Sequence, residues 1–131
     1  MTAAENVRRI YQGLDTGDAA ELTAALTPDA VLHVPGNHPL SGRYDGPDAI
    51  LGFLAASRSA AASGEHIEVL EVLTGHKHVA VYARSRAERG GAVLDNPTVH
   101  LLRMVGDRIA EVWFHNREQQ PVDTFWSGGV R

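Results

Sequence analysis

The chain has 131 residues, of which 44% are hydrophobic and 21% charged, with a formal net charge of -4 at pH 7 and no cysteine. These values predict one ordinary globular domain over residues 1–131, and they exclude disulfides and thiolate chemistry. The negative charge and scattered arginines argue against nucleic-acid binding, and the lack of a signal-peptide pattern or a membrane-length apolar run predicts a cytoplasmic protein without membrane contact.

The N-terminal part of the chain predicts two helices. Thr2 and Glu5 form the Ser/Thr-x-x-Glu capping pattern, and the apolar residues that follow recur at helical spacing until Gly17. The apolar stripe of this first helix includes Tyr11. Asp18 is predicted to cap a second, shorter helix that Pro28 stops.

A strand, a long loop and a third helix follow. The strand is predicted over residues 30–34, with His33 among apolar neighbours. Residues 35–46 are dense in glycine, proline and polar turn formers, and we interpret them as a long loop. Pro47 suits the first turn of a third helix, which carries Phe53 on its apolar side.

From Glu65 onward the hydrophobic pattern has a period of two residues, which is typical of β-strands. Glycine-containing turns separate four predicted strands, at residues 66–73, 79–88, 93–104 and 109–116. Apolar residues occupy both faces of several strands: Ile67, Val69 and Leu73 against Leu70 and Val72 in the first of them. A sheet that is apolar on both sides must be covered twice, and we expect a second copy of the chain to cover the face opposite the helices. Residues 122–126 are compatible with a short packed segment.

This order of elements predicts an α+β fold in which three N-terminal helices pack on a curved, mostly antiparallel sheet. Such an arrangement leaves an apolar cavity between the helices and the sheet, where ligand sites are common. Tyr11, His33 and His100 are the polar exceptions at positions where hydrocarbon side chains are expected. Because a buried polar ring without a partner is unfavourable, we interpret the three residues as a polar site inside the cavity.

Three segments, at residues 29–36, 39–46 and 106–113, resemble SnoaL-like proteins of the nuclear transport factor 2-like superfamily, which include polyketide cyclases and ketosteroid isomerase. The resemblance covers nearly the whole chain and implies the cone-shaped fold of that superfamily. The same fold hosts enzymes, binding modules and transport adaptors. The resemblance is therefore specific evidence for the fold and weak evidence for the reaction.

Ketosteroid isomerase gives the sharper comparison. Tyr11 precedes Gly17-Asp18 by the interval of the isomerase's oxyanion-hole tyrosine, whereas His33 and His100 fall at the positions of its aspartate base and its protonated aspartic acid. The resemblance therefore implies that His33 is the general base, and that Tyr11 and His100 donate hydrogen bonds to a developing oxyanion. Isomerisation and aldol cyclisation both remain open, because the same residues serve either reaction.

Further residues are expected to line the cavity around a ligand. The predicted substrate-binding residues are Val31, His38, Tyr44, Phe53, Leu102, Val112 and Phe114. His38 and Tyr44 lie in the long loop, either at the cavity mouth or on the surface. Trp113 and His115 have the opposite strand parity to Val112 and Phe114, and we expect them to face a second copy of the chain.

The leading prediction is a cofactor-independent isomerase or polyketide-cyclase-like enzyme that transfers a proton on a hydrophobic carbonyl compound. The alternatives are a non-catalytic small-molecule-binding module and a dimerisation module of the same fold, in which the polar exceptions are core residues with local partners. A metal site of His33, His38 and His100 is a third interpretation, but the spacing matches no zinc motif and no metal is predicted. No cofactor is expected, since no Gly-x-Gly-x-x-Gly follows a strand.

Overall fold

A computed structural model describes residues 2–61 and 65–128 as an α+β domain. Within these residues the helices are α1 (Ala3–Asp15), α2 (Ala20–Ala25), α3 (Pro47–Ala60) and α4 (Gln119–Trp126). The strands are β1 (Leu26–Val34), β2 (Gly42–Asp45), β3 (His66–Thr74), β4 (His78–Arg89), β5 (Ala92–Val105) and β6 (Arg108–Asn116). They form one sheet in the order β2-β1-β6-β5-β4-β3, in which only β1 and β6 pair in parallel. The predicted mostly antiparallel α+β architecture is confirmed.

The predicted first helix and its cap are confirmed. The Thr2 hydroxyl accepts a hydrogen bond from the Glu5 backbone N–H, and the Glu5 carboxylate accepts one from the Thr2 N–H. The helix ends at Asp15, and Gly17 follows with a φ of +85°, a conformation that favours glycine. Tyr11 lies on the buried face of α1, which packs against the sheet.

The segment between α2 and α3 differs from the prediction in two ways. β1 begins at Leu26 instead of residue 30, and Pro28 lies where the pairing with β6 changes register between Leu26 and Val31. Proline is tolerated in a strand at such an irregularity, because no ladder hydrogen bond is required of it. The predicted loop also contains β2, which pairs antiparallel with residues 31–34. Its turn-rich sequence lacks an alternating pattern, so the pairing depends on the edge that β1 offers.

Strands β3 to β6 lie within about a residue of their predicted ends, but β3 contains a bulge after Val69. Ile67, Val69 and Val72 pack against the core, whereas Leu70 and Leu73 are 42% and 52% exposed. The prediction that Leu73 shares the face of Ile67 and Val69 is wrong, because the extra residue of a bulge reverses the parity of the side chains beyond it.

Two clusters of buried side chains hold the domain together. In the larger cluster, α1 and α3 pack on the inner face of the sheet. In the smaller one, α4 packs on β4 and β5 through Val122, Phe125 and Trp126. Residues 122–126, which the sequence analysis described as compatible with a short packed segment, are therefore part of a helix. No helix in the described part of the chain is long and apolar enough to span a membrane.

Gly36 offers a test of the loop that follows β1. Its φ is +97°, and a Cβ there would collide with the Asp123 carboxylate and the Gln119 amide. We expect Gly36→Ala to lower the free energy of unfolding by more than about 1 kcal/mol. The matched control is Gly52→Ala in α3, where a Cβ meets no atom within 4 Å, and it should raise stability by about 0.5–1 kcal/mol. Urea titrations followed by tryptophan fluorescence measure both, and a Gly36→Ala protein as stable as the wild type would contradict the expectation.

Candidate active site

A cavity of about 520 Å³ lies between the inner face of the sheet and helices α1 to α4. Its walls are mainly apolar. They include Ile10, Leu14, Leu32, Ile50, Phe53, Leu54, Leu102 and Ile109. The volume falls in the range of small-molecule sites, about 300–1,000 Å³.

Tyr11 on α1 and His100 on β5 meet in the wall of this cavity. The Tyr11 Oη lies 2.8 Å from His100 Nδ1, and the two residues are only 6% and 8% exposed. Helical spacing turns Tyr11 toward the sheet, and strand alternation turns His100 to the same inner face as Leu102. The structure therefore brings these two predicted residues together, whereas their catalytic role stays a prediction.

Burial keeps both groups of the pair uncharged. Desolvation, together with a smaller effect of His115, lowers the pKa of His100 to about 3, and burial raises the pKa of Tyr11. At neutral pH the pair is therefore a neutral imidazole and a neutral phenol. The His100 ring stacks on Phe114, with ring centroids 3.9 Å apart, and this contact fixes the plane of the imidazole.

The second ring nitrogen of His100 is accessible from the cavity. Among the described residues no group bonds to Nε2, and no fully buried side-chain N or O lacks a partner. When the Tyr11 hydroxyl donates to Nδ1, Nε2 carries the proton and can donate it. When Nδ1 donates to the phenol oxygen, Nε2 becomes an acceptor and the Tyr11 proton is free for a ligand. The pair can thus offer either one donor or a donor and an acceptor together.

His38 is a third polar group at the cavity wall. Its Nδ1 accepts a hydrogen bond of 3.1 Å from the Leu40 backbone N–H. Burial lowers the pKa of His38, and Asp123 partly opposes that shift. A neutral imidazole whose Nδ1 accepts must carry its proton on Nε2, so His38 is a hydrogen-bond donor and not a base.

A polar side-chain network that the sequence analysis missed follows the inner face of β5 toward α4. Asn96 Nδ2 and Thr98 Oγ1 each donate to Asn116 Oδ1 at 2.9 Å. The Asn116 amide in turn donates to Gln119 Oε1 at 2.9 Å. The sequence could have predicted that these polar side chains share a face of the sheet, because Asn96, Thr98 and His100 are alternate residues of one strand.

A carboxylate that was also not predicted lines the cavity near the start of β3. Ser85 Oγ donates to Glu65 Oε2 at 2.6 Å. The Arg58 guanidinium donates to the backbone carbonyls of Leu14 and Glu65 at 3.2 and 3.3 Å, which ties the end of α1 to this point. Nothing in the local sequence around Glu65 marks it, since α1, α3 and β4 converge there only in the fold.

His33 does not line the cavity. Its Nε2 lies 2.6 Å from the Glu111 Oε2 on the outer face of the sheet, whereas Leu32 and Val34 face the cavity. The predictions that His33 and Val31 line the cavity are wrong. Alternate strand residues point to opposite faces, so an error of one residue in assigning the inner face exchanges every side chain.

His33 belongs to a charged cluster on that outer face. Glu111 accepts hydrogen bonds from His33 and, at 3.2 Å, from the Arg103 guanidinium. These partners, His33 first, hold the pKa of Glu111 below its usual range. The Trp113 ring stacks on the His33 ring at 5.5 Å. Each member of the cluster therefore has a partner from the sheet itself.

Tyr44 is also not among the residues that line the cavity. Its hydroxyl donates to the Leu40 carbonyl at 2.7 Å, and its ring packs against Phe53. The prediction for Tyr44 is wrong because β2, which was expected to be loop, holds it at the edge of the sheet. The other predicted lining residues do face the cavity: His38, Phe53, Leu102, Val112 and Phe114. That they bind a substrate stays a prediction.

The three histidines considered as metal ligands do not converge. His38 and His100 line the cavity, whereas His33 lies on the other side of the sheet. Within residues 2–61 and 65–128, no group of three or more His, Cys, Asp or Glu side chains is placed to hold a metal ion.

Comparison with known proteins shows the family to which this chain belongs. The sequence profile of the SnoaL-like domain matches residues 7–112. An uncharacterised protein of Mycobacterium tuberculosis is 34% identical over 123 residues, which cover 92% of this chain and 93% of that protein. The chain belongs to the SnoaL-like domain family, as the sequence resemblance indicated.

Solved structures agree in fold. A protein encoded by a soil-derived mobile gene cassette is 28% identical, with a TM-score of 0.90 over 95% of each chain. A hypothetical protein of ketosteroid isomerase-like fold from Catenulispora acidiphila, crystallised with trimethylamine, is 18% identical. Its TM-score is 0.79, and the match covers 98% of this chain and 96% of that one. The predicted nuclear transport factor 2-like fold is confirmed.

The depressed pKa of His100 predicts a loss of stability in acid. In the unfolded chain the imidazole binds a proton below its ordinary pKa of about 6.5, whereas the folded protein keeps it neutral down to about pH 3. The unfolded state therefore binds more protons in this window, and stability falls as the pH falls, by at most about 1.4 kcal/mol per pH unit.

The variant His100→Gln isolates this effect, because all other titrating groups are shared with the wild type. We expect the wild type to lose about 1.6 kcal/mol more than the variant between about pH 6.5 and pH 5. Urea unfolding at the two pH values measures the difference. Equal losses in the two proteins would show that His100 is not held neutral by the fold.

Proposed function

We propose that the protein is a cofactor-independent enzyme, an isomerase or a cyclase, that transfers a proton on a hydrophobic small molecule bearing a carbonyl group. One observation carries the proposal: Tyr11 and His100 form a buried hydrogen-bonded pair in the wall of an apolar cavity, and His100 Nε2 has no other partner among the described residues. Membership of the SnoaL-like domain family supports the same general kind of function.

The chemistry follows from the two arrangements of the shared proton. With His100 Nδ1 donating to the phenol oxygen, Nε2 removes a proton from the carbon next to the carbonyl, and the Tyr11 hydroxyl donates to the oxygen that becomes negative. The imidazolium and the enolate form side by side, so each opposite charge stabilises the other despite the burial. His100 replaces His33 as the base, since His33 lies outside the cavity.

Two outcomes are open to the enolate. Return of the proton from His100 to a different carbon gives an isomer, and His100 regains its neutral form. Attack of the enolate carbon on a second carbonyl of the same molecule forms a carbon–carbon bond, and His100 then protonates the new alkoxide. Both sequences balance without a cofactor, and the apolar walls keep water from the enolate.

The second candidate is a binding module that uses the same cavity without chemistry. The observation in its favour is the low pKa of His100, about 3, which makes the imidazole a weak base in the resting protein. In that case the pair would hydrogen-bond a polar group of the ligand and leave the ligand unchanged. Exchange of carbon-bound protons separates the two candidates.

The test uses 2-propionylnaphthalene, a hydrophobic ketone with exchangeable protons next to its carbonyl, in deuterated water. We expect the wild type to accelerate deuterium incorporation and Tyr11→Phe to slow it about 100-fold, because one oxyanion donor is lost. His100→Gln should abolish the acceleration. His33→Gln should retain it, since that side chain lies on the outer face. Nuclear magnetic resonance follows the exchange.

Two results would count against the enzyme. Loss of exchange in His33→Gln with retention in His100→Gln would contradict the assignment of the base. Saturable binding of the ketone by the wild type, without any acceleration of exchange, would favour the binding module instead.

We also propose that a second copy of the chain covers the outer face of the sheet. Trp113 and Leu101 are half-buried there without a covering element among the described residues. A partly exposed aromatic and aliphatic surface of this kind favours association. The charge of Glu111 on the same face is already balanced by His33 and Arg103, so an identical face brings no unpaired like charge.

Leu101→Arg tests this dimer. The register places Leu101 beside Trp113 at the centre of the outer face, so a charge there should convert a dimer to monomers. The matched control is Val93→Arg on the same strand, at an exposed position about 26 Å away along β5. Light scattering coupled to size-exclusion chromatography gives the mass. A wild-type monomer, or an unchanged mass for Leu101→Arg, would overturn the proposal.

A further inference from the structure

A second polar group lines the cavity away from Tyr11 and His100. It consists of Glu65, which immediately precedes β3, Ser85 on β4 and Asn96 on β5. Ser85 and Asn96 are paired across the two strands and are 4% and 8% exposed. The Ser85 hydroxyl donates to Glu65 Oε2 at 2.6 Å, which holds the carboxylate against the sheet. We refer to these three residues as the far anchor.

The far anchor offers acceptors. Asn96 donates its amide to Asn116 at 2.9 Å, but in the described part of the chain no donor reaches Asn96 Oδ1. Since no fully buried side-chain oxygen there lacks a partner, this atom opens toward the cavity. Glu65 Oε1 also receives no hydrogen bond from the described residues, because Ser85 binds the other oxygen. Two acceptor atoms therefore remain for a ligand, whereas the Ser85 proton is already engaged.

Within the described residues, no cationic side chain forms an ion pair with the Glu65 carboxylate. Arg58 is the neighbouring positive group, but its guanidinium donates to the backbone carbonyls of Leu14, Asp15 and Glu65 itself. A group entering the far anchor is therefore favoured if it donates a hydrogen bond, and a carbonyl or carboxylate oxygen is disfavoured there.

The sheet register gives the distance between the two polar ends of the cavity. His100 pairs with Val81, and Asn96 pairs with Ser85, so the ends lie four residues apart along both strands. This separation corresponds to about 13 Å of strand. A hydrogen bond of about 2.8 Å at each end leaves on the order of 7 Å between the two polar atoms of a bridging ligand. Two fused six-membered rings have about this span.

We propose that the far anchor binds a hydroxyl or amino group of the substrate, so that the substrate is a flat, apolar molecule with a carbonyl at one end and a hydrogen-bond donor at the other. The inference rests on the proposed function in one respect: the carbonyl end is assigned to Tyr11 and His100. Hydroxylated fused-ring ketones are the chemical class that satisfies both ends. The far anchor determines orientation and specificity, and the proton transfer takes place at the other end.

The experiment compares two ketones that differ only at the far end. One is 6-hydroxy-2-propionylnaphthalene and the other is 2-propionylnaphthalene, and the fluorescence of the ring system reports binding to the full chain. We expect the wild type to bind the hydroxylated ketone about tenfold more tightly, as a hydrogen bond to a charged acceptor allows. Glu65→Gln should remove most of that preference, by weakening the hydroxylated ketone more than the unsubstituted one, because the amide oxygen is an uncharged and weaker acceptor.

The matched control is Glu68→Gln, which removes the same charge from an exposed position of β3. It should keep the full preference for the hydroxylated ketone. If Glu65→Gln does not fold, Asn96→Ala removes the other acceptor and should lower the preference several-fold. A further comparison, with 6-methoxy-2-propionylnaphthalene, should show no preference, because the ether retains the oxygen but cannot donate.

The outcomes distinguish this inference from the proposed function. Equal affinity of the wild type for the hydroxylated and unsubstituted ketones, equal weakening of both by Glu65→Gln, or binding of neither ketone would overturn the far anchor. Tyr11→Phe should weaken both ketones equally and slow deuterium exchange. If Tyr11→Phe has neither effect while the Glu65-dependent preference persists, the assignment of the carbonyl end fails and the far anchor stands.

Discussion

The alternation of side chains along the strands is the constraint on which the rest of the structure depends. In β5 it directs Asn96, Thr98 and His100 into the cavity. In β1 it directs Leu32 inward and His33 outward. Because a single sheet separates the cavity from the outer face, alternate residues of each strand face the cavity, and the residues between them form the outer surface.

Burying polar groups in an apolar cavity is unfavourable unless they have partners, and here the partners come from distant parts of the chain. Tyr11 and His100 are 89 residues apart in sequence and form one hydrogen bond. The Ser85 hydroxyl likewise meets the Glu65 carboxylate. Each contact leaves another polar atom, His100 Nε2 or Glu65 Oε1, without a protein partner in the described residues. Each polar side chain thus has one hydrogen bond within the protein, which offsets the cost of removing it from water. The remaining polar atoms can form hydrogen bonds with a ligand.

Much of the fold was predictable because its signals are local. The capping box at Thr2, the proline at the start of α3 and the glycine turns between the last strands depend on neighbouring residues alone. The failures concern features that depend on distant pairing. β2 has no alternating pattern and forms only against the edge of β1, and the bulge after Val69 reverses the parity of β3.

The sequence by itself determined the order of the elements and the family, and helical periodicity placed Tyr11 on the buried stripe of α1. The resemblance to ketosteroid isomerase brought Tyr11 and His100 to one site, but it brought His33 there as well. Tertiary structure alone decided which face of β1 meets the cavity, so His33 became the partner of Glu111 on the outer face. It also decided that Glu65 reaches Ser85. A strand has two geometrically equivalent faces, and only the packing of the helices against one of them distinguishes inside from outside.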